Sequence, residues 1–160
     1  MGDRQQNQDN PEPVRAPDPF PAGDLPGQVI ETYLRAIEDG CLPVERCADC
    51  QKLQWYPRGF CIACGSDDVT LVPVGGSGRL YTYSIVHRPP SGEFLPFAPY
   101  VYALVDLAEG VRVTSWITDC EHDALRIGMP LQLHFVAGPG GCRLAAFRPA
   151  TVSVTTSQGA

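Results

Sequence analysis

The stretch CADCQKLQWYPRGFCIAC, Cys47 to Cys64, contains two C-x-x-C knuckles, Cys47/Cys50 and Cys61/Cys64, separated by ten residues. A two-residue gap lets a tight turn aim both sulfurs at one point, and two such turns facing each other complete a tetrahedral four-sulfur shell. Gly65 after the second pair suits that turn, while Arg46, Lys52 and Arg58 are close enough in sequence to offset the charge of four thiolates. The four cysteines are therefore expected to hold one metal ion per chain, zinc by its donor preference, with iron suited to the same donors. A thioredoxin-like redox pair would need a neighbouring βαβ unit, which the flanking sequence does not provide. Full sulfur ligation leaves no position for water, so the ion is expected to be structural.

Upstream of the knuckles, Asp24 can cap a helix and Pro26 suits its first turn. Val29, Ile30, Tyr33, Leu34 and Ile37 then form an apolar stripe closed by Gly40, with Glu31 and Arg35 paired at i,i+4 on the wet side. Residues 1–22 are rich in Pro, Gln, Asn and Asp, too polar to offset the entropy of ordering, and read as a disordered tail or linker. The helix is expected within residues 23–42 and the metal ribbon within 43–72.

Downstream of the knuckles the pattern changes to strands: Arg79 to His87, Tyr100 to Leu107, Val111 to Thr118, Leu131 to Ala137 and Cys142 to Arg148. Glu109 and Gly110 mark one turn, and Gly138 to Gly141 another. Residues 119–130 suit a short helix or turn between the third and fourth strands. Five strands with that insertion predict a small Greek-key barrel of OB type over residues 73–150. Residues 151–160 read as a second tail. The predicted fold is thus mainly β, an N-terminal amphipathic helix and a metal ribbon followed by a five-stranded OB-fold barrel.

Other candidate chemistry is thin. Gly75-Gly76-Ser77-Gly78 precedes a strand rather than a helix N-terminus, so a turn is expected there and not a phosphate loop. His87, His122 and His134 are scattered, and Cys120 with His122 lacks an orienting third group. Cys41, Cys120 and Cys142 fall outside the knuckle spacing and are expected to be small buried hydrophobes. Tyr81, Tyr83 and Ile85 are expected to share one face of the first barrel strand, and Tyr100 with Tyr102 one face of the second. The segment HRPPSGEFLPFAP, His87 to Pro99, places Phe94, Leu95 and Phe97 in a connection stiffened by four prolines. If exposed, these three are binding anchors; if folded back, they cap the barrel.

Net charge separates the function classes. The total of −6 resides mainly in residues 1–42, with three arginines against eight acids, whereas residues 43–150 hold nine basic against ten acidic side chains. A ribbon and OB-fold module that binds nucleic acid is the alternative function, but it needs a basic excess to release counterions from phosphates, and this region lacks one. No stretch approaches the roughly 20 apolar residues that span a bilayer, and seven cysteines suit a reducing compartment. A cytoplasmic protein without membrane or nucleic-acid partners is expected.

With these elements in place, the chain resembles the family in which a rubredoxin-like zinc ribbon precedes an acyl-CoA-associated OB-fold domain. The matching stretches are LPVERCADCQKLQWYPRGFCIACGSDD, GSGRLYTYSIVHRPP, APYVYALVDLAEGVR, LRIGMP and FRPA. The resemblance implies a non-catalytic helper of thiolase-fold enzymes and hot-dog-fold hydratases, with any coenzyme A thioester handled through the partner. It is most similar to the branch attached to the large subunit of an actinobacterial steroid side-chain enoyl-CoA hydratase. That branch accompanies a thiolase-like retro-aldolase, a lyase cleaving a β-hydroxyacyl-CoA to a steroid ketone and propionyl-CoA. Of this chain's residues, the resemblance assigns only Cys47, Cys50, Cys61 and Cys64 a role, that of zinc ligands.

Overall fold

The computed structural model describes residues 26–150. The tails expected at 1–22 and 151–160, and the Asp24 cap, lie outside the described residues. Helix α1, Pro26–Glu38, ends in a Schellman turn: Cys41 N–H donates to Ala36 O, Gly40 N–H donates to Ile37 O, and Gly40 takes φ +80°. The expected five-residue apolar stripe divides in two. Val29, Ala36 and Ile37 are buried, whereas Ile30 and Leu34 are each 55% exposed. The helical repeat places those two about 100° around the axis from Val29 and Tyr33, so the barrel covers only one set.

Strands β1 (Pro43–Cys47), β2 (Leu53–Gln54) and β3 (Val69–Pro73) form an antiparallel ribbon sheet in the order β2-β1-β3. Strands β4 (Ser77–Val86), β5 (Tyr100–Leu107), β6 (Arg112–Ile117), β7 (Pro130–Ala137) and β8 (Arg143–Pro149) close into a barrel ordered β4-β5-β6-β8-β7. Its only parallel pair is β6 with β8. This is the OB-type closed Greek-key barrel expected from the sequence, and the insertion between β6 and β7 contains a 3-10 turn, His122–Ala124. The Gly75–Gly78 stretch serves packing at the start of β4. Gly76 takes φ +78° where a β-carbon would collide with Leu133, and one at Gly78 would approach Asp106 O to 2.8 Å.

One core joins all three parts. Ile37 of α1, Leu42, Val44 of β1, and Leu80, Val105, Val113, Leu131 and Phe147 of the barrel belong to a single buried cluster. Along β5 the alternation is strict, with Val101, Ala103, Val105 and Leu107 inward. In β4 a bulge between Leu80 and Thr82 resets the alternation. Tyr81 therefore does not share a face with Tyr83 and Ile85: they pack against the core, while Tyr81 stays exposed beneath the Arg112 guanidinium. Among the remaining cysteines, Cys41 is buried and Cys120 half-buried, but Cys142 is exposed, because the turn Pro139–Gly141 carries it out of the β7–β8 hairpin. No helix among the described residues is long and apolar enough to cross a membrane.

Candidate metal centre and docking face

The two knuckles are built alike. Gln51 N–H donates to Cys47 O at 3.1 Å and Gly65 N–H to Cys61 O at 2.9 Å. The residue after each pair takes a left-handed conformation, Gln51 at φ 59° and Gly65 at φ 80°. Glycine accepts this freely; glutamine does not, and its side-chain amide bonds back to Ala48 O. The four Sγ atoms lie within 4.8 Å of one another, with Cys47–Cys64 at 3.6 Å and Cys50–Cys61 at 3.5 Å. A tetrahedral shell with Zn–S of about 2.3 Å requires S···S separations of about 3.8 Å. The donor set and its spacing thus fit a zinc ion, which would cross-link the knuckles.

Electrostatics point the same way. Amides of Ala63 and Cys64 stabilise the Cys61 thiolate, bringing its pKa down to about 6. At Cys64 the Ser66 amide pulls the value down, but hydrogen bonding to Cys47, burial and the other thiols together push it up to about 12. The first thiolate forms readily and the last only against its neighbours' charge, a conflict that a bound dication removes.

A buried carboxylate, not anticipated from the sequence, braces the second knuckle. Glu45 on β1 is 1% exposed. Its Oε2 accepts from Gln54 Nε2 at 2.6 Å and Arg58 N–H at 2.8 Å, and its Oε1 accepts from Gly59 N–H at 2.8 Å. Gln54 in turn donates to Phe60 O and accepts from Ile62 N–H. The loop between the knuckles therefore hangs on one acid two residues before the first ligand. The visible signal was a glutamate at an inward position of a short strand; its partners, 9 to 14 residues on, carry no motif.

The outer face of the barrel is aromatic. Tyr100, Tyr102 and Trp116 project outward from β5 and β6, Tyr102 directly opposite Trp116. The connection between β4 and β5, with its 3-10 turn Gly92–Phe97, lays Phe94 and Phe97 on Trp116 at centroid distances of 6.1 and 5.5 Å, while Tyr100 stacks on Trp116 at 4.6 Å. Phe94 and Phe97 are thus half-buried on the outer wall of the barrel, and Leu95 between them is 62% exposed. Changing Phe94 and Phe97 together to alanine is expected to destabilise the isolated chain by about 2 kcal/mol, since two ring contacts with Trp116, one edge-to-face and one tilted, and half-buried ring area are lost. A thermal melt reads this, and an unchanged midpoint would contradict the packing.

Beside this cluster, β6 and β8 pair only at Trp116↔Ala146 and Ile117↔Phe147. Next to those pairs a cleft of about 220 Å³ opens, walled by Tyr33 and Leu34 of α1, Tyr56 of the ribbon, Tyr102, Trp116 and Arg143. Tyr56 is tied to the barrel through its hydroxyl, 3.0 Å from Thr114 Oγ1. Arg143 is anchored by donation to Glu38 O at 2.8 Å.

Comparison with known proteins accords with this architecture. Residues 36–70 match the ChsH2 rubredoxin-like zinc ribbon domain and residues 71–136 the ChsH2 C-terminal OB-fold domain. A probable enoyl-CoA hydratase alpha subunit of Thermomonospora curvata is 36% identical over 118 residues, 74% of this chain, but this chain spans only 36% of that protein's length. A DUF35 domain-containing scaffold protein of Methanocaldococcus jannaschii is 34% identical over 67% of this chain and 76% of its own. A solved structure described as an Ltp2-ChsH2(DUF35) aldolase matches with a TM-score of 0.67 and 34% identity, covering 81% of this chain and 98% of that one. The chain belongs to the ChsH2 (DUF35) family, in which a rubredoxin-like zinc ribbon is joined to an OB-fold domain.

Proposed function

We propose that this chain is a non-catalytic accessory subunit of a thiolase-fold acyl-CoA enzyme, and within that class of the retro-aldolase that cleaves a steroid side-chain β-hydroxyacyl-CoA to a steroid ketone and propionyl-CoA. The observation that carries the proposal is the apolar cleft that Leu34 of α1, Tyr56, Tyr102 and Trp116 line together, flanked by exposed Ile30 one helical turn before Leu34 and by exposed Leu95 in the loop whose Phe94 and Phe97 pack on Trp116. Contiguous exposed apolar surface marks contact sites, and buried aromatic anchors dominate the energetics of interfaces. The names of the relatives, a scaffold protein and an aldolase assembly, support the class. Leu95 is the protruding anchor, with Phe94 and Phe97 holding its loop. The partner enzyme binds the coenzyme A thioester, and a hot-dog-fold hydratase is a second partner.

The test is affinity purification of the tagged chain from its native host, identification of what copurifies, and assay of that enzyme with and without this chain. A thiolase-fold protein is expected, active or markedly more active only in the complex, with Leu95→Glu weakening association by about 2 kcal/mol. Turnover of acyl-CoA by the isolated chain, or association unaffected by Leu95→Glu, would overturn the proposal.

A further inference from the structure

The cleft between α1, the ribbon and the seam of β6 and β8 opens where the two strands splay beyond their two paired positions. Its floor is already hydrogen-bonded within the chain: Ser115 Oγ donates to Ala145 O at 2.8 Å, and Thr114 Oγ1 is engaged by the Tyr56 hydroxyl. Arg143 is the one charged lining residue, and no carboxylate lines the cleft. Its guanidinium is held in place, one Nη donating to Glu38 O at 2.8 Å and Cζ lying 4.8 Å from the Phe135 ring centroid. The Glu38 carboxylate accepts instead from the Arg143 backbone N–H. Among the described residues the guanidinium forms no ion pair. A fixed cation with donors to spare at the edge of an apolar cleft is matched by a carboxylate.

Walls of Tyr33, Tyr56, Tyr102 and Trp116 suit a flat ring, which meets aromatic neighbours by offset stacking and by its edges. Size narrows the choice. The cleft measures about 220 Å³. An engineered apolar cavity of about 150 Å³ takes benzene, so a bicyclic indole is of the right scale here. Aromatic side chains of a partner seat in such desolvated pockets and dominate the energetics of interfaces. We propose that the cleft is a socket for one aromatic side chain of the partner enzyme, a tryptophan, presented beside an acidic side chain that pairs with Arg143. The source of the ring rests on the accessory-subunit reading, whereas the ring-and-carboxylate chemistry rests on the cleft alone.

The test titrates the full-length, isotope-labelled chain with three probes of one ring and different charge: indole-3-acetate, indole and tryptamine. The backbone amide resonances of Tyr102, Thr114, Trp116 and Leu144 are expected to shift. Indole-3-acetate should bind about tenfold more tightly than indole, the effect of one charge-assisted contact, with tryptamine weakest. Leu34→Glu, at an exposed helix position lining the cleft, should erase that preference, as should Arg143→Gln, while Leu34→Lys keeps it. In the complex with the enzyme that copurifies, saturating indole-3-acetate and Leu34→Glu should each weaken association by about tenfold or more. Unmoved cleft amides, or equal affinity for indole-3-acetate and tryptamine, would overturn the socket whichever enzyme this chain accompanies. Probe binding in the cleft with association unaffected would overturn the partner as the source of the ring and leave a free aromatic acid as the occupant. If no thiolase-fold enzyme copurifies, it is the accessory-subunit reading that fails, and the probe titration still decides the socket.

Discussion

Cys61→Ser is expected to abolish the stoichiometric zinc of the purified chain and to cost on the order of 5 kcal/mol of stability. Metal binding in ribbons of this kind is coupled to folding, because the ligands converge only in the folded state. Here the coupling extends beyond the knuckles. Cys47 ends β1, and the same strand contributes Val44 to the core shared with the barrel. Losing the ion therefore loosens one wall of that core as well as the loop. Elemental analysis and thermal unfolding give the two readouts. A Cys61→Ser chain that retains its metal and its unfolding midpoint would remove the basis for a four-cysteine site.

Glu45→Ala should be the most damaging substitution outside the cysteines, destabilising by about 3–5 kcal/mol. It leaves the part-buried backbone amides of Arg58 and Gly59, and one of the two N–H groups of the buried Gln54 side chain, without an acceptor. Each buried donor left without an acceptor costs about 1–3 kcal/mol, reduced where water can enter. Glu45→Gln keeps one acceptor oxygen and should cost less, about 1–2 kcal/mol, because its amide nitrogen faces a donor. Denaturant titration ranks the three proteins, and chelator challenge should strip metal faster from the alanine variant. Equal stability of Glu45→Ala and the unaltered chain would show that the brace contributes nothing.

What could be read from the residues divides along a physical line. The convergence of Cys47, Cys50, Cys61 and Cys64 was legible because C-x-x-C spacing is local and dictated by turn geometry, as were the barrel strands, whose alternation is a property of each strand alone. Gly40 announced the end of α1 for the same reason. Glu45 was not legible as a brace, since its meaning lies in amides 9 to 14 residues away. The exposure of Ile30 and Leu34 depends on how much of α1 the barrel covers, which the helix pattern does not contain. Tyr81 was misplaced because one bulge inverts every later assignment in a strand. Phe94 and Phe97 were placed in the right loop, but whether they project or fold back is decided by Trp116, some twenty residues downstream.

The single core shared by helix, ribbon and barrel limits how such a chain can be recombined. The two family domains meet between residues 70 and 71, inside β3. Leu42 and Val44 on one side of that junction pack in the same cluster as Val105 and Phe147 on the other. Severed at the junction, each half would present raw apolar surface to water and divide a strand. Grafting a foreign ribbon onto this barrel would likewise require matched side chains at Ile37, Leu42 and Val44, so despite two separable sequence signatures, helix, ribbon and barrel travel together as one packed unit.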